Sequence, residues 1–178
     1  MDVDDAGEAP ESGAGDELES RAPRDDDLVL ICRRLNELKA DYMVIGGFAM
    51  IMAGYPRATV GIDLLIATDS ENEARVLQAL EILPDQAVRE LKIGEIDNYG
   101  VVRVADEVVV DLMKSASGID YTEAAREVVI RHVKGVPIPF ASPRLLFRMK
   151  KVTHREKDAP DLLFLQRYFA ERGAKGSE

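Results

Sequence analysis

The sequence predicts an α/β (α+β) fold: a mixed, strongly twisted sheet flanked by helices, with a small helical part at the C-terminus. Residues 62–67 (IDLLIA) and 107–113 (EVVVDLM) are nearly unbroken apolar runs of the kind buried strands give. Residues 99–105 with 107–113, and 128–133 with 136–140, read as hairpins that bring antiparallel pairs into the sheet. Amphipathic stretches with helix-start signals lie before, between and after them.

The 178 residues fit one ordinary domain with a sizeable core, preceded by a tail. Residues 1–27 hold eleven acids and two arginines; the rest carries 22 acids and 21 Lys+Arg, so the net charge of −10 belongs almost wholly to the start of the chain. A segment so poor in apolar residues cannot offset its chain entropy, so residues 1–26 are expected to be a disordered acidic tail and residues 27–174 the folded domain. The tail has no cationic or apolar signal-peptide region, and no stretch approaches the ~18 apolar residues of a membrane span. A single cysteine, Cys32, excludes an intramolecular disulfide and fits a cytoplasmic protein.

Taken in order, Asp27 is expected to cap a helix running to Lys39 with Leu28, Ile31, Cys32, Leu35 and Leu38 on one stripe, which makes Cys32 a buried, inert thiol. A strand follows at 42–45, then a Gly46-Gly47 turn opening a short helix over 48–54, a loop, and the strand over 62–67. Ser70 and Glu73 read as a capping box for a helix from 71 to about 83, ended by Pro84. A second short helix is expected over 85–91, and a helical stretch from Asp120. Lys134-Gly135 reads as the turn of the later hairpin, Ser142-Pro143 as a helix start, and the last helix runs from about 159 to 172.

Two acids stand out because they interrupt apolar strands. Asp63 and Asp111 must each sit at an exposed strand end, pair with a cation or bind a metal, since desolvating a lone carboxylate costs several kcal/mol. If the two strands are neighbours, both carboxylates point into one site that suits Mg²⁺ completed by waters and substrate phosphates. The free amides where Gly46-Gly47 opens a helix favour a phosphate. Phosphate cradle, metal carboxylate and second carboxylate, in that order, suggest chemistry on a nucleotide.

These residues resemble the DNA polymerase β-type nucleotidyltransferase superfamily, in its small bacterial branch with toxin-like and antitoxin-like members. Gly46 and Gly47 match its glycine pair, Asp63 the second Asp of its Asp-x-Asp motif, and Asp111 its third Asp; Arg57-Ala58-Thr59 also resembles the small branch. The resemblance spans residues 41–168. It implies Mg²⁺ (or Mn²⁺) on Asp63 and Asp111, a nucleoside triphosphate as substrate, and phosphate contacts from Gly46, Gly47, Arg57 and a lysine at Lys150 or Lys151, followed by the acidic pair Asp158 and Asp161. Asp161 reads equally as a first-turn helix acid. One departure stands at the family's first Asp, which is Gly61 here. Residues 61 and 63 share a strand face, and Thr59, next on that face, offers only a hydroxyl.

The resulting expectation is a metal-dependent nucleotidyltransferase moving a nucleoside monophosphate to an acceptor hydroxyl, attenuated at Gly61. The alternative is a catalytically inactive binding module of the same fold, or a partner protein of toxin–antitoxin type. Eight Lys/Arg against one acid over residues 131–157 mildly favour a polyanionic acceptor such as RNA, while a protein acceptor also fits. His132 and His154 lack zinc-ligand spacing, and no Gly-x-Ser-x-Gly, Walker-type or Gly-x-Gly-x-x-Gly motif occurs.

Overall fold

The computed structural model describes residues 19–175. Of the expected acidic tail, residues 1–18 lie outside the described residues. Its last part belongs to the fold. Ser20 Oγ donates to the Asp106 carbonyl at 2.6 Å and the Arg21 amide to the Glu107 carbonyl at 2.9 Å. Helix α1 (Asp25–Glu37) starts two residues before the expected boundary. Asp27 is therefore not its N-cap. It sits in the first turn, where its carboxylate accepts from the Arg24 amide at 2.7 Å and from both ends of the Arg21 guanidinium at 2.7 and 2.8 Å. That fork holds the Asp27 carboxyl below the usual range.

The sheet has six strands: β1 (Tyr42–Ile45), β2 (Gly61–Ile66), β3 (Val101–Ala105), β4 (Val109–Met113), β7 (Val128–Val133) and β8 (Val136–Ala141), in the order β3-β4-β2-β1-β8-β7. A separate two-strand ribbon pairs β5 (Ser115–Ala116) with β6 (Ile119–Asp120). Pairing is mixed, as the sequence predicts. β2 runs parallel to β4 and β1 to β8, while β1–β2, β3–β4 and β7–β8 are antiparallel. The β7–β8 turn is Lys134-Gly135, with φ of +49° and +80°, the left-handed pair that a two-residue hairpin turn requires.

Helices cover both faces. The Tyr42 hydroxyl donates to Asn36 Oδ1 at 2.8 Å, which places α1 on the face of Tyr42 and Val44. Helix α3 (Ser70–Leu80) packs beside α1. Its N-cap is Asp69, whose carboxylate accepts the Asn72 amide at 3.0 Å, so the Ser70–Glu73 capping box is not formed. Glu73 is instead buried and caps the next short helix, α4 (Glu95–Tyr99), accepting the Gly94 and Asp97 amides at 2.5 and 3.0 Å. Tyr99 thus belongs to α4 and not to the strand expected from residue 99, and a 3₁₀ turn at Ala87–Glu90 stands where a helix over 85–91 was expected. After α5 (Tyr121–Ala124), the other face carries α2 (Gly46–Met52), α6 (Pro143–Lys151) and α7 (Ala159–Lys175). Helix α2 packs on β1, β2 and β8, and α6 on β8, so this cover stops short of β4 and β3.

Cys32 is fully buried, and burial pushes its thiol up to about 12, which keeps it an inert core residue as expected. No helix among the described residues is long and apolar enough to cross a membrane.

The contacts of Ser20, Arg21 and Arg24 predict a difference between two truncations. Removing residues 1–24 should lower the thermal midpoint by a few degrees relative to removing residues 1–18, because only the longer deletion strips the hairpin contacts and the start of α1. Parallel calorimetric scans check this.

Candidate active site

Three adjacent strands place charges in one row. Asp63 on β2 lies opposite Asp111 on β4, and Arg103 on β3 lies opposite Asp111 from the other side. Opposed residues share a sheet face, so all three side chains project together, beside α2 and α6. Arg103 Nε and Nη2 hold Asp111 Oδ1 and Oδ2 at 2.9 and 3.1 Å, a bidentate pair. Asp63 has no side-chain hydrogen bond or ion pair among the described residues. Burial and the neighbouring Asp111 push its carboxyl up to about 6, against the opposing pull of Lys150, Lys157 and Arg103.

The glycine pair is fixed by contact. β1 turns directly into α2 above Asp63, so the helix starts at Gly46 itself and ends at Met52, earlier than the expected 48–54. Gly46 has φ +66°, and a Cβ there would collide with Asp63 Oδ2 and lie 2.9 Å from its Cγ. A Cβ at Gly47 would lie 2.7 and 2.8 Å from Thr59 Oγ1 and Cβ. Any side chain at either position would displace the residues of β2 and its approach from the site. Because α2 is only seven residues long, its dipole adds little.

These residues line one cleft of about 490 Å³, within the range of small-molecule sites. Of the residues singled out in the sequence, Gly46, Gly47, Arg57, Asp63, Asp111, Lys150 and Asp158 come together there. Lys150, 12 % exposed, is gripped between Asp161 Oδ2 at 2.7 Å and Asp158 Oδ1 at 3.3 Å. Asp161, fully buried, also accepts Arg57, and Asp158 accepts Thr153 Oγ1 at 2.6 Å and Arg155 Nε at 3.1 Å. Asp161 is thus more than a first-turn helix acid: it ties α7 to the α2–β2 loop and to α6. A buried network of this kind is tolerated only because each charge is paired.

Four of the residues singled out do not line the cleft: the buried Asp161, which acts through Lys150 and Arg57, and Lys151, Thr59 and Gly61. Lys151 turns away and lies 5.9 Å from the centroid of the Phe147 ring. Thr59 spends its hydroxyl on the Gly61 carbonyl at 2.8 Å. Gly61 is buried beside β4, and a Cβ there would stand 3.2 Å from the Val109 carbonyl oxygen. Nor does the basic run over residues 131–157 form one surface. Lys134 pairs with Asp26, and Arg148 with Glu123 at 2.6 Å and with Glu127.

Sequence reasoning missed Arg103, Arg155 and Lys157, which also line the cleft, and apolar lining residues such as Val101, Met113 and Met149. Arg103 was legible in principle, since counting back across the β3–β4 hairpin pairs it with Asp111. The other two sit at the start of and within a single 3₁₀ turn, Glu156–Asp158, too short to show a periodicity that would place them.

The donor set is two carboxylates; no cluster of three or more His, Cys, Asp or Glu side chains suited to a metal forms among the described residues. Two hard oxygen donors, one of them unpaired, in a cleft with room for phosphates fit a single Mg²⁺ or Mn²⁺.

No family model and no curated protein matches the sequence. Among solved structures, an antigenic nucleotidyltransferase-like protein from Paracoccidioides brasiliensis aligns with a TM-score of 0.46 at 17 % identity, over 79 % of this chain and 74 % of that one. A candidate nucleotidyltransferase from Thermotoga maritima aligns with a TM-score of 0.48 at 17 % identity, over 81 % of this chain and 91 % of that one. At these TM-scores and this identity neither likeness assigns a chemistry to this chain, which has to come from the side chains of its own cleft.

The raised Asp63 carboxyl costs stability wherever it is ionised. The native state binds its proton more tightly than the unfolded chain between pH 3.8 and about 6, so the penalty grows across that window and is complete above it. Asp63→Asn should therefore stabilise the metal-free protein by up to about 2–3 kcal/mol at pH 7.5, with the gain vanishing below pH 4. Urea melts at several pH values test this, and a gain independent of pH would refute it.

The contact at Gly46 makes a second prediction. Gly46→Ala combines a left-handed φ with a collision against Asp63 and should cost roughly 2–4 kcal/mol. In an Asp63→Ala background the collision with the carboxylate is gone, and the backbone term and the 3.2 Å approach to the Cβ of residue 63 remain. A double-mutant cycle should show coupling of at least ~1 kcal/mol between positions 46 and 63.

Proposed function

We propose that the protein is a metal-dependent nucleotidyltransferase of the polymerase β type, in a form reduced to two metal carboxylates. The observation that carries this reading is the unpaired Asp63, opposite Asp111 and directly beneath Gly46, at the floor of a cleft walled by cations. A lone carboxylate kept half-buried and unneutralised beside a second one is costly to the fold, and a cation that arrives with the substrate relieves that cost.

In this reading Asp63 and Asp111 would hold one Mg²⁺ or Mn²⁺ together with a nucleoside triphosphate, and the chemistry such an ion would supply there is charge neutralisation at the phosphoryl oxygens. Lys150 and Arg57 are held in place by Asp161, so they meet the phosphates without a reorganisation cost, and the Gly46 and Gly47 amides line the same end. Arg155 and Lys157 extend the positive wall. The apolar lining residues Val101, Met113 and Met149 suit the nucleoside. An acceptor hydroxyl entering opposite the pyrophosphate displaces it in line, and the catalytic contribution is positioning and charge neutralisation.

A second reading has an observation of its own. With Gly61 in place of a third carboxylate and Asp111 held by Arg103, the cleft also suits a module that binds nucleotide without transferring it. Equilibrium binding of nucleoside triphosphates with and without Mg²⁺, paired with detection of pyrophosphate, decides between them. Nucleotide should bind in a Mg²⁺-dependent way, and Asp63→Asn or Asp111→Asn should weaken it at least tenfold, while Lys151→Ala leaves it unchanged. Pyrophosphate release with turnover supports transfer. Binding without release supports the module, and no Mg²⁺-dependent binding removes both readings.

A further inference from the structure

The geometry points to Arg103 as an exchangeable counter-charge: its guanidinium neutralises the Asp63–Asp111 pair until a metal–nucleotide complex arrives, then moves from Asp111 to the substrate's phosphates, so that nucleotide and divalent cation bind in a strongly coupled way. This rests on the nucleotide-binding reading above.

Four observations combine. Arg103 engages both oxygens of Asp111, and Asp111 has no other side-chain partner among the described residues, so the oxygens a metal needs are those Arg103 occupies. The two partners differ in freedom. The Asp111 side chain is 14 % exposed and fixed on a central strand, whereas Arg103 is 66 % exposed on the edge strand β3, with no second anchor among the described residues. Such a guanidinium can swing without disturbing packing, and an exposed ion pair is weak enough to be exchanged. Arg103 also lines the same cleft as Lys150 and Arg57, so the space into which it would swing is where phosphates are expected. Finally, the two carboxylates stand opposite one another on adjacent strands, and Asp63 has no cation of its own. Lys150 and Lys157 also lie near the pair, but Arg103 is the cation that holds one of its carboxylates directly.

Bidentate pairing is what makes the exchange selective. A phosphate offers the guanidinium the same two-oxygen geometry as a carboxylate, so the fork loses nothing on transfer. A metal ion arriving alone must instead compete with Arg103 for Asp111 and leave the guanidinium without a partner. The free protein is thereby protected from filling its site with a cation before substrate is present, and each ligand raises the affinity for the other by the same factor.

The test titrates the full chain with Mn²⁺, counting free ion by electron paramagnetic resonance, in the absence and presence of a nucleoside triphosphate analogue with a non-hydrolysable α–β bridge. Arg103→Gln should bind Mn²⁺ alone about two- to fivefold more tightly than the unmodified protein, the factor that ~0.5–1 kcal/mol of ion pair converts to. It should bind the analogue more weakly, and the factor by which analogue strengthens Mn²⁺ binding should shrink. Arg103→Lys, which keeps the charge and loses the fork, should fall between. In an Asp111→Asn background, Arg103→Gln should no longer raise Mn²⁺ affinity. The inference is overturned if Arg103→Gln binds Mn²⁺ alone no more tightly than the unmodified protein while Mn²⁺-dependent analogue binding persists, in which case the nucleotide-binding reading still stands. If the unmodified protein and Arg103→Gln both lack saturable Mn²⁺ binding with and without analogue, that reading falls and the inference with it.

Discussion

The structure depends on the register between β2 and β4. Placing Asp63 opposite Asp111 puts two carboxylates side by side on a buried sheet, and the surroundings answer that repulsion. Arg103 arrives from the edge strand to take Asp111, and Lys150 and Lys157 lie near enough to lower the cost of ionising Asp63. The apolar residues flanking the acids on β2 and β4, Ile62, Leu64, Val110 and Leu112, are fully buried on the opposite face, so the strands cannot slip by one residue without turning that core into the cleft. Hydrophobic burial thus fixes the position of the charges, and the charges oppose the fold they are fixed in. A strained carboxylate pair held by a rigid core is a common physical form for a site that awaits a cation.

The second constraint is the network beneath the cleft wall. Helix α6 contributes Lys150, the 3₁₀ turn after it Asp158 and helix α7 Asp161, and the loop before β2 contributes Arg57, from segments about a hundred residues apart in the chain. Asp161 is the shared atom cluster: without it, Lys150 would keep only the longer contact to Asp158, and Arg57 would have no acid among the described residues. Its burial matters because a solvated acid would let both cations wander, whereas a dry one fixes their direction. The C-terminal helices, which could be taken for a separate cap on the domain, therefore serve as the scaffold of the positive wall.

Much of this was legible in the sequence, and the failures have physical causes. Asp63 and Asp111 were visible because a charge inside an apolar strand is expensive, and expense marks a position that needs a partner. Two of the sheet's antiparallel pairs were visible through hairpin turns. The caps were misread because Asp69 directly precedes Ser70 and Arg24 stands within one turn of Asp27, and local chemistry alone cannot choose between such near positions when either can begin the turn. Glu73 was misassigned for a different reason: its partners, the amides of Gly94 and Asp97, lie more than twenty residues away. The basic run over residues 131–157 misled because composition counts charges and cannot see that Lys134 and Arg148 are spent on Asp26, Glu123 and Glu127. What remains for a ligand is the subset that α6 and the turn after it aim into the cleft.

Gly61 is where sequence pattern and structure give different emphasis. In the sequence it reads as a missing ligand. In the fold it stands opposite Val109, with a would-be Cβ 3.2 Å from the Val109 carbonyl and its own carbonyl taken by the Thr59 hydroxyl. A longer side chain there would press on the start of β4, the strand that sets the position of Asp111. Thr59 in turn lies against Gly47, so the residues at 47, 59 and 61 are mutually fitted, and small size at each permits the others. A carboxylate at 61 would not enter a vacancy prepared for it; it would require β2 and β4 to separate slightly. A side chain at position 61 and the observed pairing of β2 with β4 therefore oppose one another, and two carboxylates with a nearby guanidinium are the arrangement that this pairing accommodates.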